Sequence, residues 1–121
     1  MAEAAYQGIP LTELRIEAVD WTHRAEHIRH RSRRHGPDEF DVEPEWATEA
    51  ALDARRLVAV TEGRSIVVLG RSVSARPRDC HEEGRILKVW LVPADLETGL
   101  WWGASACDAN ARDRKLYGEG Q

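Results

Sequence analysis

The stretch Arg55-Arg56-Leu57-Val58-Ala59-Val60-Thr61-Glu62-Gly63-Arg64-Ser65-Ile66-Val67-Val68-Leu69 decides the fold class. Before it, apolar residues recur every three to four positions, the period of an amphipathic helix. Within it, two short apolar runs, Leu57–Val60 and Ser65–Leu69, flank a polar tetrapeptide with a glycine, the pattern of a hairpin. The period of two continues downstream. Across Arg85–Val92, Leu87, Val89 and Leu91 fall on one face and Ile86, Lys88, Trp90 and Val92 on the other. Pro93-Ala94-Asp95 opens a turn, and Gly99–Ala106 reads as a further strand. The polar stretch Ser72–Gly84, with Pro77, reads as a long exposed loop.

Upstream, Leu14, Ile16 and Ala18 alternate with charged residues, which predicts a half-buried strand. Asp20 suits the N-cap of a helix over about Trp21–Arg34, with Trp21, Ala25 and Ile28 as its apolar stripe and Gly36-Pro37 as its stop. A second helix begins near Pro44, a favourable first helical residue, with Trp46, Ala47, Ala50, Ala51 and Ala54 facing the core. Asp108 or Asn110 caps a last helix through Tyr117. Helices grouped before strands predict an α+β domain. Two N-terminal helices and a C-terminal helix pack on a three- to four-stranded antiparallel sheet whose other face stays partly open. Residues 1–12 read as a flexible leader, 13–117 as a single domain and 118–121 as a tail.

A chain of 121 residues accommodates one domain, and 42% hydrophobic with 31% charged residues is a globular balance. No apolar run approaches the roughly 18 residues of a membrane span, and Met1–Pro10 lacks the pattern of a secretory signal. Cys80 and Cys107 are expected as two free thiols in a reducing cytosol. The net charge of −4 hides a segregation: His23–His35 carries five Arg, four His and one acid, whereas Asp38–Asp53 carries seven acids and no base.

Arg24, Arg29, Arg31, Arg33 and Arg34 crowd the first helix, and the guanidinium fork matches phosphate oxygens. A solvated face, an anion-binding face and a face that docks on an acidic protein partner all fit that pattern. His23, His27 and His30, at i, i+4 and i+7, have a spacing that can share a metal, but no further ligand motif accompanies them, so no metal site and no cofactor are expected. His35, at the helix end, can bond carbonyls or move protons near neutral pH. Trp101 and Trp102 point to opposite faces of a strand, one toward the core and the other toward a base, a partner or edge packing. Arg112, Arg114 and Lys115 surround the last helix as phosphate contacts, with Tyr117 one turn on.

Three segments occur in an order that resembles the BrnT family of type II toxins. They are Asp20-Trp21 leading to Arg34-His35-Gly36; Ser65–Ser72 with its Leu69-Gly70-Arg71-Ser72; and Ser105-Ala106 followed by Arg112-Asp113-Arg114-Lys115-Leu116-Tyr117. The family shows Lys-His-Gly, Ile-Gly-Arg-Ser and Ser-Ala-Arg…Glu-Arg…Tyr at these places. Trp101-Trp102-Gly103 and Asn110 are similar to a divergent actinobacterial branch. The resemblance implies a RelE-like fold and a metal-independent endoribonuclease in which the RNA 2′-hydroxyl attacks the neighbouring phosphate. It also implies a cytoplasmic location and a cognate antitoxin protein as partner, with a homodimer or a hetero-oligomer as the assembly. Carried over by position are Arg34, in place of the family Lys, and His35, Arg64, Arg71, Arg114 and Tyr117. Of these, Arg34, His35, Arg64, Arg114 and Tyr117 are the catalytic candidates, and Arg71 joins Arg29, Arg31, Lys88, Asn110, Arg112 and Lys115 as the expected RNA-phosphate contacts. Cys107 stands where the family has Arg, and a thiol cannot neutralise a phosphate.

Overall fold

A computed structural model of the chain describes residues 5–61, 64–75 and 84–118. Its main sheet is built from β3 (Ala18–Asp20), β4 (Leu57–Val60), β5 (Ile66–Ser72), β6 (Arg85–Asp95) and β7 (Leu100–Asp108), in the order β3-β7-β6-β5-β4. A separate hairpin pairs β1 (Ala5–Tyr6) with β2 (Ile9–Pro10). The helices are α1 (Ala25–Arg29), α2 (Arg31–His35), α3 (Pro44–Ala51) and α4 (Ala111–Tyr117). The domain is therefore α+β as its patterning predicts, but the main sheet has five strands and is mixed. β3 runs parallel to β7, with Val19 opposite Trp101, while the other pairings are antiparallel.

The expected alternation holds over Leu14–Glu17 but not at Ala18, which is exposed, and the strand lies later. Leu14 and Ile16 are buried and Arg15 and Glu17 exposed, while the ladder with β7 begins only at Ala18. Glu17 and Ala18 donate their amides to the Gly99 carbonyl at 2.8 and 3.2 Å, which seats the entry to β3. The predicted leader contributes Tyr6 to the core: its ring lies 5.7 Å from that of Trp101, and its hydroxyl donates to the Arg64 carbonyl at 2.5 Å.

The single helix expected over Trp21–Arg34 is two. Asp20 accepts from the Thr22 amide at 2.8 Å and caps a turn at Trp21, and α1 starts only at Ala25. His30 then leaves the helical region, at φ −123° and ψ 33°. The cause is a carboxylate from outside the helix: Asp41 accepts from the Ser32 amide at 2.7 Å and from its hydroxyl at 2.9 Å, capping a new first turn. The predicted turn at Pro93 is also absent, because β6 continues to Asp95 through an irregular register beside β7. The expected loop Ser72–Gly84 begins with Ser72 and Ala75 buried, and its residues 76–83, Cys80 among them, lie outside the described residues.

One face of the sheet carries Ile66, Val68, Leu87, Val89, Leu91 and Trp101 against α1 and α3, in one apolar core. Two glycines set how closely the helical layer approaches. A Cβ on Gly70 would stand 1.8 Å from the Ala50 carbonyl oxygen, and one on Gly103 would stand 2.4 Å from the Trp21 ring. The opposite face holds Lys88, Trp90 and Cys107. There α4 covers only one end, where Ile86, Ala109 and Tyr117 form a second small core. Asn110 caps α4 by accepting from the Asp113 amide at 2.8 Å. Among the described residues no helix is long and apolar enough to cross a membrane.

Candidate phosphate-binding surface

At the covered end of the open face, three distant segments meet on one carboxylate. Asp53, just past α3, accepts from the Arg55 amide at 3.0 Å, the Arg71 amide at 2.9 Å and the Tyr117 hydroxyl. The Arg71 and Arg55 guanidinium groups lie 5.6 and 6.0 Å from the Tyr117 ring centroid, and Arg71 also donates to the Gly84 carbonyl at 3.3 Å. Burial opposes the charge on Asp53, but the bonds from Tyr117, Arg55 and Arg71 and the Arg71 charge outweigh it and hold the carboxyl below its usual range. Burial, then the bond to Asp53, pushes the Tyr117 hydroxyl up, so it stays a neutral donor near pH 7.

The next residues along this face are also engaged. Lys88 lies 3.6 Å from Asp113 and 5.3 Å from the Trp90 ring centroid. Arg114 donates to the Ala109 carbonyl at 2.8 Å, and Asn110 is the cap of α4. Arg112 and Lys115 are exposed on α4, with no carboxylate in ion-pair range among the described residues. Cys107 faces Lys88 across the strands and carries a free thiol. Burial pushes that thiol up against the pull of Arg31 and Lys88, so it stays neutral.

The basic helical segment divides into neutralised and un-neutralised cations. Arg29 pairs with Glu43 at 3.0 Å and Glu26 at 3.2 Å, Arg31 with Glu39 at 3.5 Å, and His30 with Glu26 at 2.8 Å. Arg34 turns back to donate to the His27 carbonyl at 2.7 Å, a carbonyl beside the helix break. His35 is exposed at the end of α2. The break at His30 also divides the histidine series, and among the described residues no three metal-ligating side chains converge.

The structure thus brings Arg71, Arg114 and Tyr117 to the α4 end of the sheet. It keeps Arg34 and His35 on α2. Arg64 stands before the opposite end of β5, roughly 23 Å from Arg71 at about 3.3 Å per residue. Asp53, Arg55 and Asp113 complete the α4 cluster and are not among the sequence-derived candidates. The only local sign of Asp53 is its position two residues before an amide it binds, the spacing of an Asx turn. Searches of protein-family models, curated proteins and solved structures find no match to this chain.

Proposed function

We propose that this chain is a BrnT-like, RelE-type toxin of a type II toxin–antitoxin pair, a cytoplasmic endoribonuclease that works with cationic side chains in place of a metal ion. The observation that supports this best is the Asp53–Arg71–Tyr117 cluster at the end of the open sheet face that α4 covers. Cleavage by the 2′-hydroxyl needs an acceptor for its proton, positive charge for the phosphorane and a donor to the leaving 5′-oxygen. Asp53 is ionised at neutral pH, Arg71 and Arg55 supply charge, and Tyr117 is a neutral donor. Lys88, Arg112, Arg114 and Lys115 extend the positive charge along the bound backbone. Among the residues carried over by resemblance, Arg71 and Tyr117 keep the strongest case. Arg34, His35 and Arg64 act at most on more distant phosphates. The antitoxin is a protein partner, and the uncharged edge strand β4, whose exposed Leu57 lines a groove together with exposed Leu116, is the surface suited to it.

A second reading, a non-catalytic interaction module of the same fold, is favoured by two details. Cys107 replaces a family cation, and the Tyr117 hydroxyl is already bound to Asp53. Induced expression in a bacterium followed by primer extension on cellular RNA separates the two. Growth arrest with new 5′ ends supports the nuclease; neither appearing refutes it.

A further inference from the structure

The surface over α1 and the adjoining edge of β7 combines features that the α4 cluster lacks. Trp102 is half-exposed, and the His23 ring lies 5.2 Å from it at an interplanar angle of 51°. Arg24 follows His23 directly, and α1 packs along β7 toward Arg31, which acts on Cys107 further along that strand. Among the described residues, the charges acting on the His27 ring are all positive: Arg34, Arg24, Arg31 and His35. Only Arg31 of these is matched to a carboxylate, Glu39. Glu26, next in sequence to His27, is engaged by Arg29 and His30. Cations held together without counter-charge repel one another, and an anion relieves that repulsion.

We propose that His23 and Trp102 form a base-stacking platform and Arg24, His27, Arg34 and His35 a phosphate cradle beside it, together binding a single-stranded nucleic-acid segment. This deepens the reading of the chain as an RNA-binding protein and gives the strand a second foothold. Trp102 pairs with Val92, six residues along β6 from the Ile86 that packs on Tyr117, so the platform lies roughly 20 Å from the α4 cluster at about 3.3 Å per residue. The aromatic pair distinguishes the ligand. Arginines alone would serve an acidic protein equally well, whereas a ring beside a phosphate cradle suits an unpaired base, and a base inside a duplex cannot reach it.

The His27 ring is held below its usual range, first by burial and then by Arg34, Arg24, Arg31 and His35. A phosphate placed among those groups reverses their effect, so binding takes up a proton and strengthens as pH falls from 7.5 to 5.5. The test uses the full chain and a fluorescent 2′-O-methyl RNA oligonucleotide, which cannot be cleaved by 2′-hydroxyl attack. Trp102→Ala should weaken binding by roughly tenfold, with Trp102→Phe restoring most of it. Arg24→Gln should lower the salt slope by about 0.7, and His27→Gln should flatten the pH dependence. The proposal is overturned if Trp102→Ala binds like the parent chain, or if duplex RNA or polyglutamate displaces the oligonucleotide as well as unlabelled single strand does. Because the probe is uncleavable, a protein that fails to arrest growth can still pass, and a toxin whose RNA avoids Trp102 fails here alone.

Discussion

Replacing Tyr117 by Phe removes one oxygen and leaves the ring packed on Ile86 and Ala109. Asp53 then keeps its bonds from the Arg55 and Arg71 amides but loses the phenol. A hydrogen bond to a charged group contributes about 1.5–3 kcal/mol, and water reaching a partly exposed Asp53 places this one near the lower value. For a domain of this size, about 1.5 kcal/mol corresponds to roughly 6 °C in Tm. The pH dependence follows from the two shifts. Asp53 is depressed in the folded protein, so its contribution is complete above about 3.9, the unfolded-state value, and disappears as pH falls through the folded value. Tyr117 is raised, so its contribution is complete below about 10 and disappears as pH rises through the folded value. Thermal unfolding followed by circular dichroism from pH 3 to 11 should show a Tm gap between parent and Tyr117→Phe that is widest between these limits and narrows at both ends. With Asp53→Asn added, a double-mutant cycle should give a coupling near 1 kcal/mol. A gap under 1 °C at pH 7, or one that ignores pH, would show that the phenol–carboxylate bond does not hold α4 to the sheet.

Other parts of the structure make separate predictions. Gly70→Ala places a methyl group against the Ala50 carbonyl and should destabilise by about 3 kcal/mol or more, read from the urea midpoint. Asp41→Ala uncaps α2 and should cost about 1 kcal/mol, with faster amide exchange at Ser32 if the break at His30 depends on it. In cells, Arg71→Gln should relieve growth arrest by lowering cleavage roughly 10²–10³-fold, while Arg64→Gln should leave arrest in place; the reverse pattern would move the reactive centre to the other end of β5.

What could be read from the chain followed the range of the forces involved. The hairpin of β4 and β5, the two faces of β6 and the Asn110 cap are set by residues within a few positions of one another, and period and capping chemistry reveal them. The break in the basic helix was hidden because its cap, Asp41, comes from nine residues beyond Ser32. A local stripe gives no sign of such a partner. The α4 cluster was half legible: motif order singled out Arg71 and Tyr117. Asp53 closes an acidic run that stands out only by its charge, and only folding joins positions 53, 71 and 117. Tyr6 was concealed in the same way, since a lone aromatic in a short leader carries no period.

The parallel pairing of β3 with β7 has a consequence for the order in which the molecule is made. Among the described strands β7 follows all the others in sequence, yet it occupies an interior place between β3 and β6. On the ribosome, β4, β5 and β6 can form a meander as they emerge, because each pairs with its predecessor. β3 must wait some eighty residues for its partner, and with it waits the seating of Trp21 against Gly103. Closure of the sheet is thus a long-range event that depends on the emergence of β7. A nascent chain stalled before residue 100 carries its basic N-terminal segment without the surface that orders it. Any activity needing both arrives only once β7 has emerged and paired.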